Sequence, residues 1–301
     1  MLKIAFDPIY AHPLPEGHRF PMLKYELIPE QLLHEGLITV DNLFSPKGPV
    51  AENVILLTHE KSYWEQLRDL TLPPKEARRI GFPLSARLIE RSARISQGTI
   101  EGSLYAMQNR VAFNAAGGTH HAGSNWGEGF CMLNDQAIAS NYLLYHNLAK
   151  SILIVDLDVH QGNGTAQIFE NEDRVFTFSM HGANNFPFRK ERSDLDIPLP
   201  DHTSGEQYLS ILTDTLPKLI SQQKPDFIFY QAGVDVLASD KLGKFDLTKD
   251  ECKARDRFVF EQCIKHNIPV QVSMGGGYSP DVRDIVEAHC NTYKVAVDLY
   301  F

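Results

Sequence analysis

The chain has 301 residues, 43% hydrophobic and 22% charged, with 29 Lys and Arg against 38 Asp and Glu for a formal net charge of -9. That length suits two domains of about 150 residues or one large α/β domain of about 250 residues or more. An acidic balance with no Lys/Arg-rich tail argues against direct nucleic-acid binding, which depends on neutralising phosphates. The opening MLKIAFDPIYAHPLPEG breaks its apolar run at Asp7 and at two prolines, unlike a signal peptide. No run approaches the roughly 18 apolar residues of a membrane span. Cys131, Cys252, Cys263 and Cys290 show neither CxxC spacing nor disulfide-framework density, so free buried thiols and a reducing, cytoplasmic location are expected.

In chain order, short β-branched runs predict strands at 3–6, 54–58, 111–114, 152–156, 175–179, 227–231, 270–273 and 295–299. Helices are predicted at 135–150 and 281–292, and after the capping patterns Thr203-Ser204-Gly205-Glu206 and Thr248-Lys249-Asp250-Glu251, in which hydroxyl and carboxylate satisfy backbone N–H groups at a helix start. SILIVDLD and PDFIFYQAG are apolar on both faces, as a helix-covered parallel sheet requires. The expected fold is one α/β domain over residues 1–301, with a predominantly parallel eight-stranded sheet flanked by helices. Periodicity alone leaves open whether that sheet is open or closed into a barrel.

Open parallel sheets bind ligands at the carboxyl ends of their strands, and the unusual polar residues stand there. GGTHHA follows VAFNAA, DLDVHQGNG completes SILIV, VDVLASD follows FIFYQAG, and GGGY follows VQVSM. Strand alternation puts Asp156, Asp158 and His160 on one face. Two carboxylates and an imidazole crowded there call for a divalent cation, and Asp158 and His160 are natural zinc donors. A catalytic zinc usually takes a third protein ligand. Asp240 is the best candidate and Asp235 its closest competitor. His120 and His121 could supply acid/base groups beside the metal, with Asp156 and Asn163 available to set tautomer and basicity. Tyr278 could share in stabilising an oxyanion.

Together GGTHHA, GFCMLND (129–135), DLDVHQGNG, VDVLASDKLG and GGGY resemble, in order, the motifs of the zinc-dependent histone deacetylase superfamily, which has the arginase/deacetylase fold. GHRFPMLKYE, GFPLS and AGVDVLASDKLG resemble its class IV branch and bacterial relatives more than class I. The resemblance implies Zn²⁺ held by Asp158, His160 and Asp240, His121 as general base and then acid, and His120 as its electrostatic neighbour. It pairs Asp156 with His120 and Asn163 with His121, and gives Tyr278 the task of polarising the scissile carbonyl. Asn163 stands where class I members carry Asp. Phe130 and Phe186 would wall an acyl-lysine tunnel, with Gly129 and Gly276 beside them, and Arg19 resembles an internal arginine near an acetate-release route. The resemblance further implies a structural K⁺ or Na⁺ ion near Asp156, Asp158, His160, Ser179 and Met180.

The activity so implied is zinc-dependent removal of acetyl or longer acyl groups from lysine side chains of a protein or peptide. Acylated polyamines are the competing substrate, and the class IV likeness keeps fatty-acyl lysine in play. A dimanganese hydrolase is disfavoured because no second set of carboxylate ligands is evident, and a silent binding module because no acid/base or ligand residue is missing. Neither nucleic acid nor membrane is expected as a partner.

Overall fold

Eight parallel strands form the centre of the computed structural model, which describes residues 1–301. They are β1 (Lys3–Ala5), β2 (Leu43–Phe44), β3 (Val111–Asn114), β4 (Ile152–Asp156), β5 (Val175–Gly182), β6 (Leu195–Leu199), β7 (Phe227–Gln231) and β8 (Val270–Ser273). The strand order is β2-β1-β3-β8-β7-β4-β5-β6, with every pairing parallel. Strands β2 and β6 are free edges, so the sheet is open and not a barrel. The four middle strands β3, β8, β7 and β4 are buried at every residue. Their largely apolar character, with polar residues mostly at the carboxyl ends, follows from cover on both faces.

The cover comes from α1 (Lys24–His34), α2 (Glu52–Ile55), α3 (Lys61–Arg68), α4 (Pro74–Ile80), α5 (Ala86–Asn109), α6 (Asp135–Tyr145), α7 (Asn163–Phe169), α8 (Gly205–Gln223), α9 (Lys249–Lys265) and α10 (Val282–Tyr300). None is long and apolar enough to cross a membrane. Helix α9 starts at the predicted Thr248–Glu251 box. Helix α8 starts one residue later than predicted: Ser204 and Gln207 cap each other, while the Thr203 hydroxyl donates to Pro200 O at 2.7 Å.

Eight strands were expected and eight are present, but two of the predicted ones are helical. Residues 54–58 straddle the end of α2 and the turn beyond it, because a run of four apolar residues fits a buried helical turn as well as a strand. Residues 295–299 continue α10, which the 281–292 reading stopped too early: Ile285, Ala288, Thr292 and Ala296 form one buried stripe at helical spacing. Their places in the sheet are taken by the two-residue β2 and by β6, whose LDIPL carries a proline that only an edge strand tolerates. Helix α6 ends at Tyr145 instead of Lys150.

One buried ionic network sits behind the carboxyl ends of β4 and β7. Arg255 on α9 is fully buried and donates to Leu157 O at 3.2 Å and Gly233 O at 2.6 Å. Its partner Asp256 also accepts from Tyr230 Oη at 2.5 Å and Thr292 Oγ1 at 2.7 Å. Removing the cation alone strands a buried carboxylate, so Arg255→Met is expected to cost about 3–5 kcal/mol. Chemical denaturation should show the Arg255→Met/Asp256→Asn double variant losing markedly less than the single one.

Candidate active site

The histidine pair is fixed by the start of α6. Asp135 Oδ1 accepts from Thr119 N at 2.8 Å and Thr119 Oγ1 at 2.7 Å, while Oδ2 accepts from Thr99 at 2.6 Å. This anchors the loop after β3, and His120 and His121 follow it with ring centroids 4.2 Å apart. His120 Nδ1 lies 2.7 Å from Asp156 Oδ2, and His121 Nδ1 lies 2.7 Å from Asn163 Oδ1. Both rings are buried, yet their environments drive them apart. Burial works against charge on His120, but Asp156 and Asp158 outweigh it and raise its pKa to about 9. Burial, reinforced by His120 and His160, pushes His121 well below the usual imidazole range against the pull of Asn163. At neutral pH the pair is therefore one imidazolium and one free base.

The tautomer of His121 follows from its neighbours. Asn163 Nδ2 donates to Glu128 Oε1 at 2.7 Å, and Arg79 holds the other oxygen of Glu128 at 2.7 Å. A carboxylate only accepts, so the Asn163 amide must turn its NH₂ to Glu128 and its oxygen to His121. The proton of His121 is then on Nδ1, leaving Nε2 free to accept one. Glu128 is absent from the sequence-based site, although it stands directly before the GFC motif.

Strand β4 stops at Asp156, and the following residues curl instead of extending. Asp158 N donates to Asp156 Oδ1 at 3.2 Å and His160 N to Asp158 Oδ1 at 3.0 Å. His160 Nδ1 then lies 3.1 Å from Asp158 Oδ1 and 3.0 Å from Asp235 Oδ2. The donor atoms of Asp158, His160 and Asp235 all fall within 4.8 Å of one another and all three residues are buried. Asp235 thus joins Asp158 and His160 in one compact group. Asp240 lies outside that group, held in its turn by N–H donors: its Oδ1 accepts from Leu242 N and Gly243 N at 2.8 Å each, and its Oδ2 from Tyr278 N at 2.6 Å. Four residues separate the two aspartates, and Asp235, nearer the end of β7, stands beside the ring. Burial, then Asp158, raises Asp235 to a pKa of about 7. One imidazole nitrogen and two such carboxylates fit zinc, whose charge would relieve their repulsion.

An outer cleft of about 490 Å³ leads to this group, with His121, His160 and Tyr278 at its base and Phe130 and Phe186 in its lining. Phe186 faces His121 edge-on at 5.0 Å between centroids. Gly129, at φ +55°, lies between them, and a Cβ there would come within 2.7 Å of His121 Cδ2 and 3.0 Å of Phe186. Gly276 lines an inner cavity of about 40 Å³ that shares His121, Gly129, Phe130, His160 and Tyr278 with the cleft, and its N–H donates to Asp158 Oδ2 at 2.8 Å. Arg19 lines the outer cleft, 5.1 Å above the Phe130 ring, and the arginine of the inner cavity is Arg91. Of the residues expected around a monovalent ion, Asp156 stands opposite Ser179 in the β4–β5 register, followed by Met180. The Ser179 hydroxyl is 2.9 Å from His181 Nδ1.

The histone deacetylase domain family matches residues 18–293. The chain belongs to the histone deacetylase superfamily. It is 44% identical over 297 residues, 99% of both chains, to an uncharacterised protein of Picosynechococcus sp.. It is 31% identical to histone deacetylase B of Dictyostelium discoideum over 88% of this chain and 66% of that one. Human histone deacetylase 1 is 29% identical over 94% of this chain and 61% of its own. This deacetylase-family chain thus spans about two thirds of the two named deacetylases or slightly less. Among solved structures, a histone deacetylase homologue complexed with SAHA superposes with a TM-score of 0.82 at 25% identity, covering 97% of this chain and 84% of that one. A homologue from Aquifex aeolicus gives 0.83 at 24% identity, covering 98% and 84%. The family makes the chain a hydrolase, and family members are typically zinc-dependent.

Two expectations separate the roles within this deacetylase-like site. Asp235→Asn and Asp240→Asn separate the two candidates for the third ligand: the variant of the ligand should weaken zinc binding by at least about 100-fold and the other by less than about 10-fold, as chelator competition would measure. Asn163→Asp should raise the proton affinity of His121, so that protonation silences the base at higher pH. The acid limb of the kcat/KM profile should then move up by about one unit, and an unmoved limb would contradict the tautomer assignment.

Proposed function

We propose that the chain removes acyl groups from lysine side chains by hydrolysis, using zinc held by Asp158 and His160 with Asp240 or Asp235 as the third ligand. The observation that carries this reading is the pair of adjacent histidines with different partners, set beside a three-donor group at the base of an aromatic cleft. Zinc, when bound, supplies Lewis acidity toward the amide carbonyl and lowers the pKa of water.

The remaining chemistry belongs to side chains of the protein. His121 Nε2, freed by the Nδ1 bond to Asn163, takes a proton from the attacking water and returns it to the departing amine. His120, kept charged by Asp156, places a fixed positive charge beside the developing oxyanion. Burial, then Asp158 and Asp235, holds the Tyr278 phenol far above its ordinary pKa, so it remains a hydrogen-bond donor toward the carbonyl oxygen. Its backbone is fixed by the bond to Asp240. Phe130 and Phe186 offer apolar walls to the lysine methylenes and shield the reacting amide from bulk water. A K⁺ or Na⁺ ion beside Asp156, Ser179 and Met180 belongs to the same reading as a structural element.

His121→Ala and Tyr278→Phe should each lower kcat by at least about 100-fold with zinc content retained. Near-normal turnover by either zinc-loaded variant would overturn the assignment. An acyl-length series on one lysine peptide, from acetyl to myristoyl, with acetylputrescine in parallel, would identify the acyl group and test the choice of lysine over polyamine.

A further inference from the structure

The mouth of the cleft opposes the charge of the chain as a whole. Arg19, Arg78, Arg79, Lys241 and Lys244 all line it, and no aspartate or glutamate does. In a chain with 38 acidic and 29 basic side chains, a random surface of that size would show both signs. All five cations are exposed, whereas His121 and His160 at the base are buried. The positive charge is therefore arranged around the entrance, above the aromatic walls.

Two of the five already have partners. Arg79 is paired with Glu128 at 2.7 Å and Lys244 with Asp201 at 3.3 Å. Arg19, Arg78 and Lys241 make no ion pair, and Arg19 is spread over the Phe130 ring at 5.1 Å. Three uncompensated cations around one opening create a positive potential that acts over about 8 Å at physiological salt. They stand outside the apolar walls, so they act on what flanks the acyl-lysine and not on the acyl chain. Phe188, 90% exposed on the same cleft, adds an apolar surface that a polypeptide can cover and a short polyamine cannot.

Building on the lysine-deacylase reading, we propose that the substrate is an acyl-lysine within an acidic stretch of polypeptide, its Asp and Glu side chains meeting Arg19, Arg78 and Lys241. A polyamine, or an acyl-lysine within a basic tail, brings positive charge to a positive rim and is disfavoured at encounter.

The test uses the zinc-loaded full chain and three acetyl-lysine peptides of equal length, flanked by Asp/Glu, by Ala/Gly or by Lys/Arg, with acetylputrescine as a fourth substrate. The expected kcat/KM falls in that order, by at least about tenfold from the acidic to the basic peptide at low ionic strength, with the difference carried mainly by KM. High salt should compress the ratio to about twofold, and Arg78→Gln/Lys241→Gln should reduce it at least about threefold at low salt. Equal or better turnover of the basic peptide or of acetylputrescine would overturn the proposal, as would a ratio that neither salt nor the double variant changes. Failure to hydrolyse any of the four, with either acetyl or myristoyl as the acyl group, would overturn the deacylase reading itself, and this proposal with it.

Discussion

Asp158 and Asp235 approach the same nitrogen of His160, at 3.1 and 3.0 Å, and the surrounding structure is arranged to hold these two like charges together in a buried place. Unpaired, such carboxylates would repel each other and move apart or take up protons. Backbone donors hold them instead: Gly276 N on Asp158 Oδ2, His160 N on Asp158 Oδ1 and Val159 N on Asp235 Oδ1, at 2.8, 3.0 and 3.0 Å. Lys24, fully buried on α1, donates to Gly275 O at 3.0 Å in the same glycine loop. Burial lowers its pKa to about 8, against the pull of Asp235, Asp158 and Asp240. Behind the loops, Arg255 binds the carbonyls of Leu157 and Gly233, which immediately precede Asp158 and Val234 in the chain. The site is preorganised by main-chain bonds and by two buried cations whose charge opposes that of the carboxylates.

Strand order explains how residues so far apart in sequence meet. The four chemistry-bearing loops follow β3, β4, β7 and β8, but in space the order is β3-β8-β7-β4. At about 4.8 Å per strand, β3 and β4 are roughly 14 Å apart, yet His120 from one reaches Asp156 of the other. The histidine loop does this by running across the ends of the strands between them. Gly275 N donates to Gly117 O at 3.3 Å beyond β8, Gln231 Nε2 to Gly118 O at 2.8 Å on β7, and Thr165 N to His120 O at 3.1 Å on α7. Gly118 lies flat against the Gln231 side chain at φ +77°, where a Cβ would overlap the amide. The paired glycines of GGTHH thus allow a loop to cross the sheet edge instead of turning back, and so bring the histidines to the metal donors.

What could be read from residue types was the chemistry carried by local spacing. DLDVH, GGTHH and GGGY announce donors, bases and flexible strand ends within a few residues, and the apolar runs of β3, β4, β7 and β8 announce a covered parallel sheet. Choices that depend on reach were harder. Asp235 and Asp240 both follow β7, and only the packed turn shows that Asp240 is used by the N–H groups of Leu242, Gly243 and Tyr278. Glu128 was missed because a carboxylate's role as an amide's partner depends on where α7 brings Asn163. The proline of β6 and the β-branched tail of α10 mislead for a related reason: edge position and helical packing override local propensity there.

Arg79 shows why charge has to be read by position and not by total. It lines the mouth of the cleft, yet its contact with Glu128 is continued through Asn163 to His121. A surface cation therefore helps to fix which nitrogen of a buried base carries the proton. Because Glu128 is nearly enclosed, with 11% of its side chain exposed, this guanidinium stabilises an anion that the interior would otherwise disfavour. Its charge is largely committed inward, and recognition at the rim falls to the cations that lack such a partner. The net charge of -9 is a total over the whole chain, while the entrance presents the opposite sign to an approaching substrate.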